Sequence, residues 1–136
     1  MLELIYYFDM QDLLTPPKEA IYYEDEKVYV CLASFPITKG HSIVVWKDRK
    51  EDIQALHKEE YEYLMDVVEI SRKALRGLYG LEKVYLLYLD EIKHVHWHLV
   101  PRYNEEGFNV LVHKPEEIND FSESLKLRNS IDVKKF

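Results

Sequence analysis

The chain has 136 residues, enough for one domain that buries a core without disulfides or metals, and its hydrophobic share of 47% is that of a globular protein. A net charge of −7, from 25 acidic against 18 basic side chains, excludes a long nucleic acid as partner, because a phosphate backbone needs a basic face that releases counterions. A small phosphorylated ligand remains allowed, since it needs only a few local donors. The single cysteine, Cys31, cannot form an internal disulfide, and a reducing, cytoplasmic setting is the expectation. The first ten residues carry acids where a signal peptide carries Lys or Arg, and the apolar run at residues 4–8 is too short to cross a bilayer, so no membrane partner is expected.

Residues 1–20 carry no clear periodicity. Thr15-Pro16-Pro17 interrupts any regular element, and the Tyr6-Tyr7-Phe8 cluster is expected to cover an edge of the core or a partner chain. Residues 21–23 and 28–33 read as two strands joined by the acidic turn Glu24-Asp25-Glu26. Pro36 and Gly40 punctuate a loop, and residues 41–47 form a third strand centred on Ile43, Val44, Val45 and Trp46. Residues 48–56 are a polar connection with room for one helical turn.

From residue 58 to 79 the apolar period changes to three and four, through Tyr61, Leu64, Met65, Val68, Leu75, Leu78 and Tyr79. Glu59, Glu60 and Glu62 open this helix, Arg72, Lys73 and Arg76 lie toward its end, and Gly77 and Gly80 stop it, all in keeping with the helix dipole. Such a stripe is core-facing. Residues 83–89 and 94–102 read as the fourth and fifth strands, the last closed by Pro101. The polar tail from Asn104 holds one modest amphipathic stretch with Ile118, Phe121 and Leu125 on one side. The fold class is α+β: a mostly antiparallel sheet of about five strands with one main helix. All 136 residues are assigned to a single domain, with a core at about 20–103 and an extension at 104–136. The open edges of such a sheet make a homodimer an economical arrangement.

The chemistry lies in His94-Val95-His96-Trp97-His98-Leu99-Val100-Pro101-Arg102. On a strand, alternation places His94, His96 and His98 on one face and Val95, Trp97 and Leu99 on the other, toward the core. Chance placement explains one such histidine more easily than three. A metal site would have to converge three rings whose outer members lie about 13 Å apart along the strand, and no HExxH or cysteine cluster supports one. A sensor or binding module without turnover and a site for phosphate chemistry both stay open. Imidazole can serve as nucleophile, acid or cation near neutrality, and a row of three holds all these roles at once.

The segment resembles the histidine-triad motif, His-φ-His-φ-His-φ-φ with φ apolar, and every position fits. Upstream, Ile21-Tyr22-Tyr23-Glu24-Asp25 with Val28-Tyr29-Val30 resembles that family's opening hairpin. Pro36-Ile37-Thr38-Lys39-Gly40-His41 followed by Val44-Val45 resembles its Pro…Gly-His lead into a strand. The resemblance covers about residues 20–103. It implies a histidine-triad fold and a two-step displacement in which His96 attacks a nucleotide α-phosphorus, forming a nucleotidyl-histidine that water then hydrolyses. The implied substrates are dinucleoside polyphosphates or nucleoside phosphoramidates. The implied rival is a nucleotide-binding or interaction protein with a vestigial site.

Within that resemblance His98 serves the phosphate oxygens and the leaving group, and His94 and His41 orient their neighbours. A histidine at residue 98, where the transferase branch has Gln, favours hydrolase-type members. Cys31 and Ile43 are implied base-pocket positions. Ala33, with adjacent Ser34, stands where the family usually has the Asp or Asn that reads the ribose. Lys93 is the one cation in the short turn Asp90-Glu91-Ile92-Lys93, which replaces a longer Gly- and Gln/Ser/Thr-containing phosphate loop. His57 and His113 fall outside the motif and read as surface residues. No cofactor is obligatory for the displacement, although magnesium can accompany the substrate. A homodimer through the 58–79 helix and the neighbouring strand edge is implied.

Overall fold

A computed structural model describes Leu13, residues 15–90 and residues 92–131. The Tyr6-Tyr7-Phe8 cluster lies outside the described residues. Five strands form one antiparallel sheet: β1 (Ile21–Glu24), β2 (Val28–Leu32), β3 (Ser42–Trp46), β4 (Lys83–Leu87) and β5 (His96–Arg102), in the spatial order β1-β2-β3-β5-β4. Helix α1 (Lys58–Tyr79) precedes β4, and helix α2 (Glu123–Ser130) lies in the C-terminal extension. Short 3₁₀ turns occupy Lys18–Ala20, Ile53–Ala55 and Gly107–Val112.

Helix α1 has the bounds its sequence predicts. Leu64, Val67, Val68 and Leu75 are buried in the main core, and the backbone N–H of His57 donates to Glu60 Oε1 at 2.8 Å, bracing the first turn. His57 is exposed, as expected, yet it is the N-cap. Gly80, with φ 64°, closes the helix in a left-handed turn in which Leu81 N–H reaches the Arg76 carbonyl at 3.0 Å.

β1 runs one residue past its expected end, to Glu24, while the other four strands are shorter than their apolar runs. β2 ends at Leu32, β3 begins at Ser42, β4 ends at Leu87, and β5 begins at His96, so His94 lies outside the ladder. The cause at β5 is local: Lys93 has φ 54°, a left-handed turn that re-aims the chain just before it pairs. Two features of the tail also differ from expectation. A 3₁₀ turn at Gly107–Val112 packs Val110 against Ile37 and Val100. The amphipathic stretch around Ile118 and Phe121 is not helical; α2 starts after it and buries Leu127, leaving Leu125 58% exposed.

The register separates the two faces of the sheet. Val30, Val44 and Trp97 lie abreast, as do Leu32, Ser42 and Leu99. This is the face of α1, where Leu75, Tyr79 and Pro101 crowd the space beside Gly40. The alternate rows, Tyr29-Val45-His96 and Cys31-Ile43-His98-Leu87, form the opposite face.

Candidate functional site

Histidines 96 and 98 project from consecutive same-face positions of β5 with ring centroids 5.2 Å apart, and both are fully buried. β5 lies between β3 and β4, and that interior position fixes both backbones. His96 Nδ1 lies 2.6 Å from the His94 carbonyl oxygen. A carbonyl only accepts, so Nδ1 carries the proton and Nε2 the lone pair. His94 in turn donates from Nε2 to the Trp46 carbonyl at 2.7 Å, and its neighbour Val95 is tied by Val95 N–H to Lys50 O at 2.9 Å. The chain at residue 94 is thus anchored to the segment after β3 although it is not in a strand.

A second relay sets His98. Ile37 N–H donates to His41 Nδ1 at 3.0 Å, which leaves the proton of His41 on Nε2. That nitrogen lies 2.8 Å from His98 Nδ1, so His98 accepts there and carries its own proton on Nε2. These proton positions are assigned from the partners. The geometry therefore sets two adjacent imidazoles in opposite roles: His96 with a lone pair at Nε2, His98 with an N–H at Nε2. A nucleophile beside a proton donor is the pairing that covalent displacement needs.

Cys31 and Ile43, read from sequence as base-pocket positions, are abreast of His98 on its own sheet face and completely buried. Ala33 donates from its backbone to the His41 carbonyl at 2.8 Å, and Ser34 accepts from Ile118 N–H at 3.0 Å. Both are buried, with the C-terminal extension crossing over Ser34. Lys93 is exposed at the turn before the triad. His113 pairs with Glu105 at 3.0 Å near the surface. Among the described residues, no group of three or more His, Cys, Asp and Glu side chains is arranged to hold a metal ion.

A cleft of about 600 Å³ adjoins the site and includes Ala33 and His41 in its wall. Thr38 and Lys39 of the preceding loop line it too, and the extension adds His113, Lys114, Glu116, Asp120 and Glu123. These tail residues carry no motif, and only the packing of the extension against the 36–41 loop brings them to His41. Glu123 accepts from Tyr79 Oη at 2.8 Å, and that bond first, helped by Lys126 and Lys39, holds its carboxyl below the usual range against the opposing effect of burial. Burial, then the same bond, pushes the Tyr79 phenol well above its ordinary value; burial and Glu123 do likewise for Tyr103. Both phenols stay donors throughout the neutral range.

The HIT domain family model matches residues 16–105. The chain belongs to the HIT family. It is 30% identical over 112 residues to an uncharacterized HIT-like protein of Methanocaldococcus jannaschii, covering 78% of this chain and 85% of that one. It is 29% identical over 119 residues to Protein hit of Bacillus subtilis, covering 78% and 82%. Its fold is similar to the crystal structure of a hypothetical histidine triad nucleotide-binding protein of Sulfolobus tokodaii, with a TM-score of 0.69 at 20% identity and 88% of each chain covered. The HIT match stops at residue 105, so the extension that walls the cleft lies beyond the matched domain. No helix among the described residues is long and apolar enough to cross a membrane.

Proposed function

We propose that this HIT-family chain is a nucleotide hydrolase or transferase acting at a nucleotide α-phosphate, with His96 as nucleophile. The observation that carries the reading is the bond from His96 Nδ1 to the His94 carbonyl at 2.6 Å, which directs the lone pair to Nε2. In the first step Nε2 attacks the α-phosphorus, a nitrogen–phosphorus bond forms, and the bond to the leaving group breaks. His98 Nε2–H passes its proton to the departing atom, and water then displaces His96, returning a proton to His98 Nε2 as the nucleoside monophosphate leaves. The S. tokodaii neighbour's description as a nucleotide-binding protein supports the substrate class.

The test is a turnover screen against diadenosine polyphosphates and adenosine phosphoramidate. Release of AMP is expected. His96→Ala reduces it to background, His98→Ala lowers kcat by roughly 10²–10⁴-fold, the ordinary worth of one general acid, and His94→Ala has a milder effect. Turnover by His96→Ala near that of the unaltered protein contradicts the mechanism.

Two observations favour a second reading, a nucleotide-binding or interaction protein with a vestigial site. His96 and His98 are enclosed, so a substrate must displace what covers them, and the apolar Ala33 stands where the resemblance implies a ribose-reading side chain. Nucleotide binding without any AMP release in the screen selects that reading.

A further inference from the structure

The proton of His98 is set at the far end of the relay, by Ile37 N–H. Ile37 sits in the loop of residues 36–40, and that loop is held from outside the sheet. Thr38 Oγ1 donates to the Pro101 carbonyl at 2.7 Å, and Tyr103 Oη donates to the Lys39 carbonyl at 2.6 Å. The Lys39 ammonium lies 5.3 Å over the Tyr79 ring and 3.6 Å from Glu123 Oε1, the oxygen that also accepts from Tyr79 Oη. Gly40, with φ 85°, presses so close to Tyr79 that a Cβ there would lie 2.9 Å from Cε2. The Tyr79 ring is therefore the surface on which the loop rests, and Glu123 fixes both the ring and the lysine. Helix α2, which carries Glu123, is itself anchored to β1 and the turn before it: Ser124 Oγ donates to the Glu19 carbonyl at 2.6 Å and Arg128 Nη2 to the Ile21 carbonyl at 2.7 Å.

We propose that Glu123, through Tyr79 and Lys39 and together with Tyr103, is a positioning residue that holds the 36–40 loop and so fixes the tautomer of His98. The coupling follows from proton counting. While Ile37 N–H occupies His41 Nδ1, the His41 proton stays on Nε2 and the His98 proton on its outer nitrogen. When the loop withdraws, His41 Nδ1 is open to a proton and Nε2 can become the lone-pair nitrogen. His98 then donates inward from Nδ1, and its Nε2 can no longer protonate a leaving group. A small displacement at the loop thus inverts the donor at the other end of the relay. The kinetic consequence rests on the reading of His98 as the acid of the proposed reaction; the tautomer does not.

The full-length chain labelled with ¹⁵N-histidine carries the test, with His98 assigned by its loss in His98→Asn. Two-bond ¹⁵N–¹H spectra of the unaltered protein should give one His98 tautomer, protonated at Nε2. Glu123→Ala combined with Tyr103→Phe should give a mixture. Glu123→Gln, whose amide oxygen still accepts from Tyr79, should restore the single form. In kinetics, the double variant should lose about tenfold or more in kcat on adenosine phosphoramidate, the scale of a misplaced catalytic group. The loss on the p-nitrophenyl ester of AMP, whose leaving group needs no proton, should be the smaller of the two. Tyr103→Phe alone, which removes one oxygen from a half-buried ring, supplies an intermediate case. An unchanged His98 tautomer in the folded double variant, or in Glu123→Ala if the double variant does not fold, overturns the proposal whatever the activity. If His98→Ala slows both substrates equally, the acid role fails, while the spectra still decide the relay.

Discussion

One hydrogen bond decides which nitrogen of His96 carries the lone pair, and its acceptor is the backbone two residues earlier. This is why the spacing of the triad is so legible: alternation sets His96 beside His98, and the chain at His94 supplies the carbonyl. His41 belongs to the same constellation across 57 residues of sequence, a contact that the Gly-His lead into β3 implied through resemblance and that spacing alone could not reveal. Under the proposed function Ala33 bears on the sugar, because the histidine-triad resemblance implies a ribose-reading residue at that position. A site discriminates against a substrate lacking a hydroxyl when its own buried polar partner is left unpaired, and an alanine side chain offers none. The expected penalty for a 2′-deoxy substrate is at most about 1 kcal/mol, or several-fold in kcat/KM. Comparison of a ribonucleotide with its 2′-deoxy analogue checks this. Selectivity of about a hundredfold contradicts it and directs attention to Glu116 and Asp120, which line the same cleft as Ala33.

Among the elements, α1 was readable to its last residue because periodicity, charge order and a terminal glycine agree. Strand ends were less readable, since a ladder stops where its partner turns away, as at Lys93, and apolar residues continue past it. Helix α2 was not readable. Its register is imposed by contacts with β1, so Leu127 is buried in place of Leu125. The acidic β1–β2 turn shows how one element is tied to another. Asp25 accepts from Tyr23 Oη at 2.7 Å, from Tyr63 Oη of α1, and from the Lys27 and Val28 amides at 2.7 and 2.9 Å. Burial pushes the Asp25 carboxyl up, but these four donors outweigh it and hold it below its ordinary value. A carboxyl depressed in the folded state adds stability above its unfolded value, near pH ~4, and that stability is lost as pH falls through the folded value. Tyr63→Phe should cost about 1 kcal/mol at neutral pH, less than the usual worth of a bond to a charged group because the carboxylate is partly solvated. The cost should shrink as pH drops below the carboxylate range. Urea midpoints measured against pH read both effects, and a deficit that stays constant into acid contradicts them.

At the scale of the whole molecule, the two sheet edges are treated differently. Along β1, Arg128 of α2 takes the Ile21 carbonyl, so the extension ties down the start of that edge. β4 is the other edge, no described strand pairs with its outer side, and Leu86 on it is 38% exposed. An uncovered edge of this kind invites pairing with a second copy. Tyr61 of the adjoining helix α1 is 42% exposed. The expected state is a homodimer joined through β4 and α1. Light scattering at micromolar concentration should give twice the chain mass, and Leu86→Lys should shift it toward the monomer. A monomer mass for the unaltered chain contradicts the arrangement.

The stereochemical course at the α-phosphorus tests the central claim most directly. A substrate of known configuration, carrying sulfur at one non-bridging α-oxygen, is turned over in ¹⁸O-water and the product's configuration is read. Attack by His96 followed by attack of water inverts phosphorus twice, so the account predicts net retention. Net inversion means that water attacks directly, and it would contradict the covalent role of His96.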